Sequence, residues 1–203
     1  LLPALFILLI AVAVTVAGLL VRRTSVLDDA TAGRAGAATT VAPSGLPNPT
    51  VRAFDPQGTG TSGENDATTS SALDGNPESA WSTEAYNQRT FTRTKNGVGL
   101  ALDYGTSARF EQLNIESSGN GWSGTVFVLQ PGELDSFDPD RPPAATPSTP
   151  LRDISGPLNV GLGDVTGSVV LLWITDLGNP NQSAQFAVEI NEIRAIGSAV
   201  TAN

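Results

Sequence analysis

Ala72-Leu73-Asp74-Gly75-Asn76-Pro77-Glu78-Ser79-Ala80-Trp81 is the stretch on which the reading of this chain turns. Asp-Gly followed by Asn-Pro is dense turn chemistry. Gly supplies positive φ, Pro fixes φ near −65°, and Asp and Asn side chains bond nearby backbone amides. A large aromatic, Trp81, follows as soon as the turn ends. A tight polar loop pinned by a tryptophan suggests a loop anchored on a β core. On chemistry alone it also reads as a surface turn beside a core Trp.

Outward from the decamer, the sequence after Thr50 breaks into short apolar runs separated by Gly, Pro, Asn and Asp. This is the style of an all-β sandwich. Residues 51–54 read as an entry strand, 58–71 as a polar loop, and 81–96 as a polar excursion anchored by Tyr86 and Phe91. Val98, Leu100 and Leu102 alternate with Gly99, Ala101 and Asp103, the period of a half-buried strand. Strands are also expected over 110–116, 125–129, 151–158 and 186–196. Residues 169–175 are apolar on both faces and predict a central strand covered on both sides. The Pro- and Asp-rich residues 131–150 predict a long exposed loop.

The pattern Ala-x-Asp-Gly-Asn-Pro-x-Ser-Ala-Trp resembles the signature loop of discoidin-like domains, also called coagulation-factor-5/8 C-type or galactose-binding-like domains. The segment from Gly97 to Gly105 resembles the strand that follows that loop in the family. Leu171-Leu172-Trp173-Ile174-Thr175 and Glu192-Ile193 resemble its last two core strands. The resemblance spans residues 50–198 and implies a jelly-roll β-sandwich, so the fold class expected here is all-β. More narrowly, an apolar helix, a Thr/Ser/Gly linker and such a domain resemble the C-terminal end of actinobacterial MviN/MurJ-type lipid II flippases. Related ectodomains occur in kinase-like membrane proteins.

Residues 1–23 fit that arrangement. From Leu1 to Val21 the chain is apolar apart from Thr15, Gly18 and Pro3, and Arg22-Arg23 closes the run. At 1.5 Å per residue it measures about 30 Å, one hydrocarbon core, and predicts a transmembrane helix. A signal peptide or a buried helix are the alternatives. The chain opens without Met inside this run, which suggests a C-terminal piece of a longer protein. The two arginines alone would place the downstream side in the cytoplasm. The family resemblance instead implies a domain outside the cell membrane. Residues 24–49 are poor in bulky apolar side chains, end in Pro43, Pro47 and Pro49, and read as a flexible tether. Residues 199–203 read as a tail.

Composition narrows the chemistry. The chain of 203 residues has no Cys and no His, so it has neither disulfides nor a thiol nucleophile, and it lacks the commonest general base. A net charge of −9 argues against nucleic acid as a partner. Catalysis would need paired carboxylates in a cleft, and the nearest pair, Asp74 and Glu78, is better explained as loop structure.

Three groups of residues are candidates for binding. Phe186, Val188 and Ile190 are the apolar positions of the last strand, so parity aims Glu192 inward, unless a bulge before Ile193 rotates it out. The family resemblance implies a structural calcium held by Asp74, Asn76 and Ser79 of the loop with Glu192 of the strand. Calcium takes six to eight oxygen ligands of this kind. The bland alternative has Glu192 capping loop amides. Glu133, Asp135, Asp138 and Asp140 form a second acidic cluster but lack the Gly and terminal Glu of an EF-hand loop. Trp122 follows Ser-Ser-Gly-Asn-Gly. It reads either as core or as an exposed ring that stacks on a sugar. No His is present to complete a galactose-type site. Asn181-Gln182-Ser183 fits a glycosylation sequon that the resemblance to bacterial proteins leaves unmodified.

These readings converge on a non-catalytic, membrane-anchored binding or sensing domain that contacts cell-wall glycan or muropeptide. The rival expectation is a spacer or protein-interaction domain, with a periplasmic protein as partner, or the ectodomain of a receptor-like kinase.

Overall fold

The structure is a computed structural model in which residues 45–58, 63–91, 95–118 and 120–200 are described. The apolar segment 1–23 and the tether up to residue 44 lie outside the described residues. Among the described residues no helix is long and apolar enough to cross a membrane.

Seven strands form one antiparallel hydrogen-bonded ladder: β1 (Thr50–Phe54), β2 (Trp81–Ser82), β3 (Val98–Ser117), β4 (Asn120–Leu129), β5 (Ser148–Ser155), β6 (Leu158–Asp176) and β7 (Glu189–Ala199). The ladder runs β2-β7-β3-β6-β4-β5, with β1 also on β3. It folds into two layers because β3 and β6 serve both. Residues 99–103 of β3 pair with β1, and 98–103 pair with 169–174 of β6, which in turn pairs with β4. Past a register break after Asp103, residues 108–117 of β3 pair with β7, and 108–115 pair with 158–167 of β6. Gly105, at φ 69°, sits in this break, where glycine is free to turn the strand. The single expected strands at 98–103 and 110–116 are therefore two halves of one bent strand.

The core between the layers holds Leu100, Leu102, Phe110, Leu113, Ile115, Val170, Leu172, Ile174, Ile190 and Ile193. The expected double coverage of 169–175 holds. Val169, Leu171 and Trp173 point the other way, into a second cluster with Phe54, Ala101, Phe127, Leu134 and Phe137. Leu134 and Phe137 belong to the loop between β4 and β5, which was expected to be wholly exposed. Its carboxylates do face solvent, but its two apolar side chains cover the outer sheet face, with Phe137 against Phe127 at 5.1 Å between ring centres.

Other boundaries move as well, β4, β5 and β6 all starting earlier than expected. Residues Asp66–Ala72 form a 3-10 helix inside the expected polar loop. Phe186 precedes β7 and makes only a bridge with Tyr86. Gly45 bridges Ser198 and Leu46 packs on the core, so packing begins before Thr50.

Candidate functional site

The signature turn closes on itself. Asp74 Oδ1 accepts the Asn76 amide at 2.8 Å and Asn76 Oδ1 accepts the Glu78 amide at 3.2 Å. The Ser79 hydroxyl lies 2.7 Å from Asp74 Oδ2 and 2.9 Å from the Asn76 carbonyl oxygen. The loop is fastened to β7 by Asn191, whose Nδ2 donates to the Pro77 carbonyl at 2.9 Å. Trp81 is fully buried, as its place after the turn suggests.

Asn191 is also the bulge. The register with β3 shifts there, since Ser117 pairs with Ile190 and Glu116 with Glu192. Ile190 and Ile193 are both fully buried. Of the two placements open to Glu192, the bulge is the one realised: one extra residue undoes the inward parity, and Glu192 lies on the outer face of β7. It is nonetheless covered: Glu192 Oε1 is buried and accepts no hydrogen bond. Burial pushes its carboxyl above the ordinary glutamate value, and the Asp74 charge adds to the effect. The amides of Gly75 and Asn76 lie close enough to pull the other way, yet neither gives Oε1 a hydrogen bond. The Ser79 hydroxyl and the Asn76 amide hold the Asp74 carboxyl below the ordinary aspartate range.

The four residues named for calcium therefore gather at one place. Asp74, Ser79 and the Asn76 carbonyl bring three hard oxygens together. Glu192 brings a fourth, orphaned one, which is the donor chemistry calcium prefers. This fit rests on oxygens of both side chains and backbone; among the described residues no three carboxylates converge on one ion.

Trp122 does not serve as a sugar platform. It is 0% exposed, and its indole Nε1 donates to Ser117 Oγ at 2.9 Å within the core. The acidic loop is dispersed: Asp135 pairs with Arg52 at 2.5 Å, Glu133 accepts the Gln130 amide, and Asp140 accepts from Gln57 and Asn96.

Beside the signature turn lies an open cleft of about 920 Å³. Its walls include Leu46, Leu73, Tyr104, Asn114, Glu192 and Arg194. Arg194 is exposed, with no carboxylate partner among the described residues.

A buried charge cluster was not foreseen. Glu64 is 0% exposed. Its Oε1 accepts from Tyr86 and from Lys95 Nζ, the latter at 2.7 Å, and its Oε2 accepts the Glu84 amide at 2.8 Å. Lys95 also meets Asp55 Oδ2 at 2.8 Å. Burial would lower the Lys95 pKa, but the hydrogen bonds to Asp55 and Glu64 and the Glu64 charge outweigh it and leave the group raised. Burial and the Glu64 hydrogen bond raise Tyr86 as well. No local pattern announces this cluster, because its members are brought together by the fold.

No protein-family model matches the chain. Among solved structures it is similar to chitosan-binding module 1 of a Paenibacillus sp. IK-5 chitosanase/glucanase, at 18% identity over 75% of this chain and 96% of that one, TM-score 0.49. It is also similar to CpGH89CBM32-5 from Clostridium perfringens, solved with GalNAc-β-1,3-galactose, at 14% identity over 76% and 100% of the chains, TM-score 0.49. These neighbours are carbohydrate-binding modules. At such identities no residue of their sites is carried over to this chain.

Proposed function

We propose that this chain is a non-catalytic glycan-binding domain whose signature turn is fastened by calcium and whose ligand occupies the cleft beside it. The observation that carries the reading is the cleft of about 920 Å³, which sets an unpaired guanidinium (Arg194) and an amide (Asn114) next to apolar walls from Leu46 and Leu73. Convergent polar groups on a partly apolar concave surface are what a sugar ring with its hydroxyls requires. Calcium would be held by Asp74, Asn76, Ser79 and Glu192. Its chemistry there is structural: it offsets the Asp74 and Glu192 charges and ties the turn to β7.

The finer reading is a contact with cell-wall glycan or muropeptide outside the cell membrane, with residues 1–23 as the membrane anchor and peptidoglycan precursor (lipid II) export or its regulation as the setting. What supports it is the resemblance of the arrangement of apolar helix, Thr/Ser/Gly linker and discoidin-like domain to the C-terminal end of MviN/MurJ-type proteins. The second reading is a protein-interaction domain, favoured by the burial of Trp122. The large hydrophobics exposed among the described residues are Ile196 and Val200, neither of them an aromatic that could stack on a sugar.

The test is an NMR titration of the purified chain, in millimolar calcium, with a muropeptide and with a neutral N-acetylglucosamine oligomer. Saturable shifts at Asn114 and Arg194 that Arg194→Ala weakens are the expected result. Silence at millimolar ligand overturns the glycan reading in favour of the protein partner.

A further inference from the structure

A second cleft, of about 250 Å³, shares Asp55 with the buried charge cluster and is lined by Arg52, Asp55, Gly58, Gly63, Asp66 and Asp135 among others. The Asp55 side chain is 8% exposed. One of its oxygens is bound by Lys95; the other, Oδ1, is buried with no hydrogen-bond partner.

Charge sharpens the point. Asp55 and Glu64 are two carboxylates facing one ammonium, Lys95. Glu64 is satisfied on both oxygens, by Tyr86, Lys95 and the Glu84 amide. Asp55 is not. One negative charge is left without compensation on a nearly buried group, a costly arrangement unless a cation reaches it. Arg52, the other cation at the cleft, is engaged by Asp135 at 2.5 Å.

Both carboxylates lie against bare glycine backbone. Gly58 has no side chain where a Cβ would overlap the Asp55 carboxylate. Gly63, at φ 53°, has none where a Cβ would overlap the Asp66 carboxylate. Asn65 adds a second left-handed residue, at φ 56°, which folds the chain so that Asp66 returns over Gly63. Asp66 is exposed, and its carboxylate accepts no hydrogen bond.

We propose that a divalent cation of the hard, oxygen-seeking class, with calcium the best fit, binds in this cleft between Asp55 Oδ1 and the Asp66 carboxylate, as a second site separate from the signature turn. Two carboxylates at an open cleft leave most of the ion's coordination to water, so the site is weak; such a water-rich shell also suits magnesium, and it is the irregular placing of the two loop carboxylates, far from an octahedral cage, that favours calcium. Binding joins the start of the 3-10 helix Asp66–Ala72 to the end of β1, and so braces the element that delivers the signature turn.

Calorimetric titration of the EDTA-stripped chain with calcium chloride tests this. Asp74→Asn disables the signature site and Asp66→Asn the proposed one. Asp66 is exposed, so its amide variant stays folded. Asp74→Asn is expected to retain one calcium site, and adding Asp66→Asn to weaken that site at least tenfold. If Asp74→Asn binds no calcium while the unmodified chain does, the second site is refuted and the signature site stands. Residual binding unmoved by Asp66→Asn also refutes it. If the unmodified chain takes up no calcium at millimolar concentration, both sites fall.

Discussion

The indole Nε1 of Trp81 donates to the backbone carbonyl of Glu64 at 2.7 Å, and both residues are fully buried. The tryptophan that ends the signature turn is thus also the residue that holds the buried carboxylate in place. Trp81→Phe keeps much of the apolar volume but orphans the Glu64 carbonyl and opens a small void. It should cost about 1–3 kcal/mol from the lost bond alone. Urea denaturation checks this; a midpoint unchanged from the parent chain would show that the bond contributes nothing net.

Alkaline pH should unfold the chain early. Lys95, Tyr86 and Tyr104 are all raised in the folded state, Tyr104 to about 12, chiefly by burial. A raised folded pKa means that the folded state holds protons the unfolded chain has already lost. The stabilising contribution is therefore complete below the unfolded values, about 10 for Tyr and 10.4 for Lys. It is lost as pH rises above them. Melting temperature should be flat from pH 7 to 9 and fall above about 10, and Tyr104→Phe should shallow that fall. Lys95→Met, which strands Asp55 and Glu64, should cost about 3–5 kcal/mol at pH 7.

Glu192 gives opposite signs with and without calcium. Its folded pKa is raised, so as pH climbs through the carboxyl range the ionised form costs stability that the unfolded chain does not lose. In EDTA at pH 7, Glu192→Gln should be neutral or slightly stabilising. In calcium at a hundredfold over Kd, the parent chain should gain about 2.7 kcal/mol by mass action, and the variant should gain less. Equal melting temperatures for the parent chain in EDTA and in millimolar calcium would contradict the calcium reading.

Gly99 and Gly105 should separate space from conformation. A Cβ at Gly99 would overlap the Leu172 carbonyl oxygen across the β3–β6 pair, where neither backbone can yield without breaking the ladder. A Cβ at Gly105 meets nothing, but φ is 69°. Gly99→Ala should abolish soluble expression or cost well over 3 kcal/mol, whereas Gly105→Ala should cost about 1 kcal/mol from the left-handed backbone. Circular dichroism melts of the two variants decide it.

The sequence by itself determined what depends on near neighbours. The Asp-Gly-Asn-Pro chemistry of residues 74–77 set the signature turn, the alternation of 98–103 set a half-buried strand, and the two-faced apolar run 169–175 set the centre of the sandwich. Each is legible because turn conformations and the period of two are local properties of the chain. Only the tertiary structure decided the rest. The phase break at Ile193 left two placements open for Glu192, and the fold chose the one with a bulge at Asn191 that puts it on the opposite face, because a single insertion inverts every later position. Trp122 went into the core because Ser117 could take its N–H there. Leu134 and Phe137 turned a polar loop into a cover. Asp55, Glu64 and Lys95 carry no pattern in common; their charges meet because β1, the 3-10 helix approach and the entry to β3 converge. A charge's surroundings, unlike its type, are assembled by the whole fold.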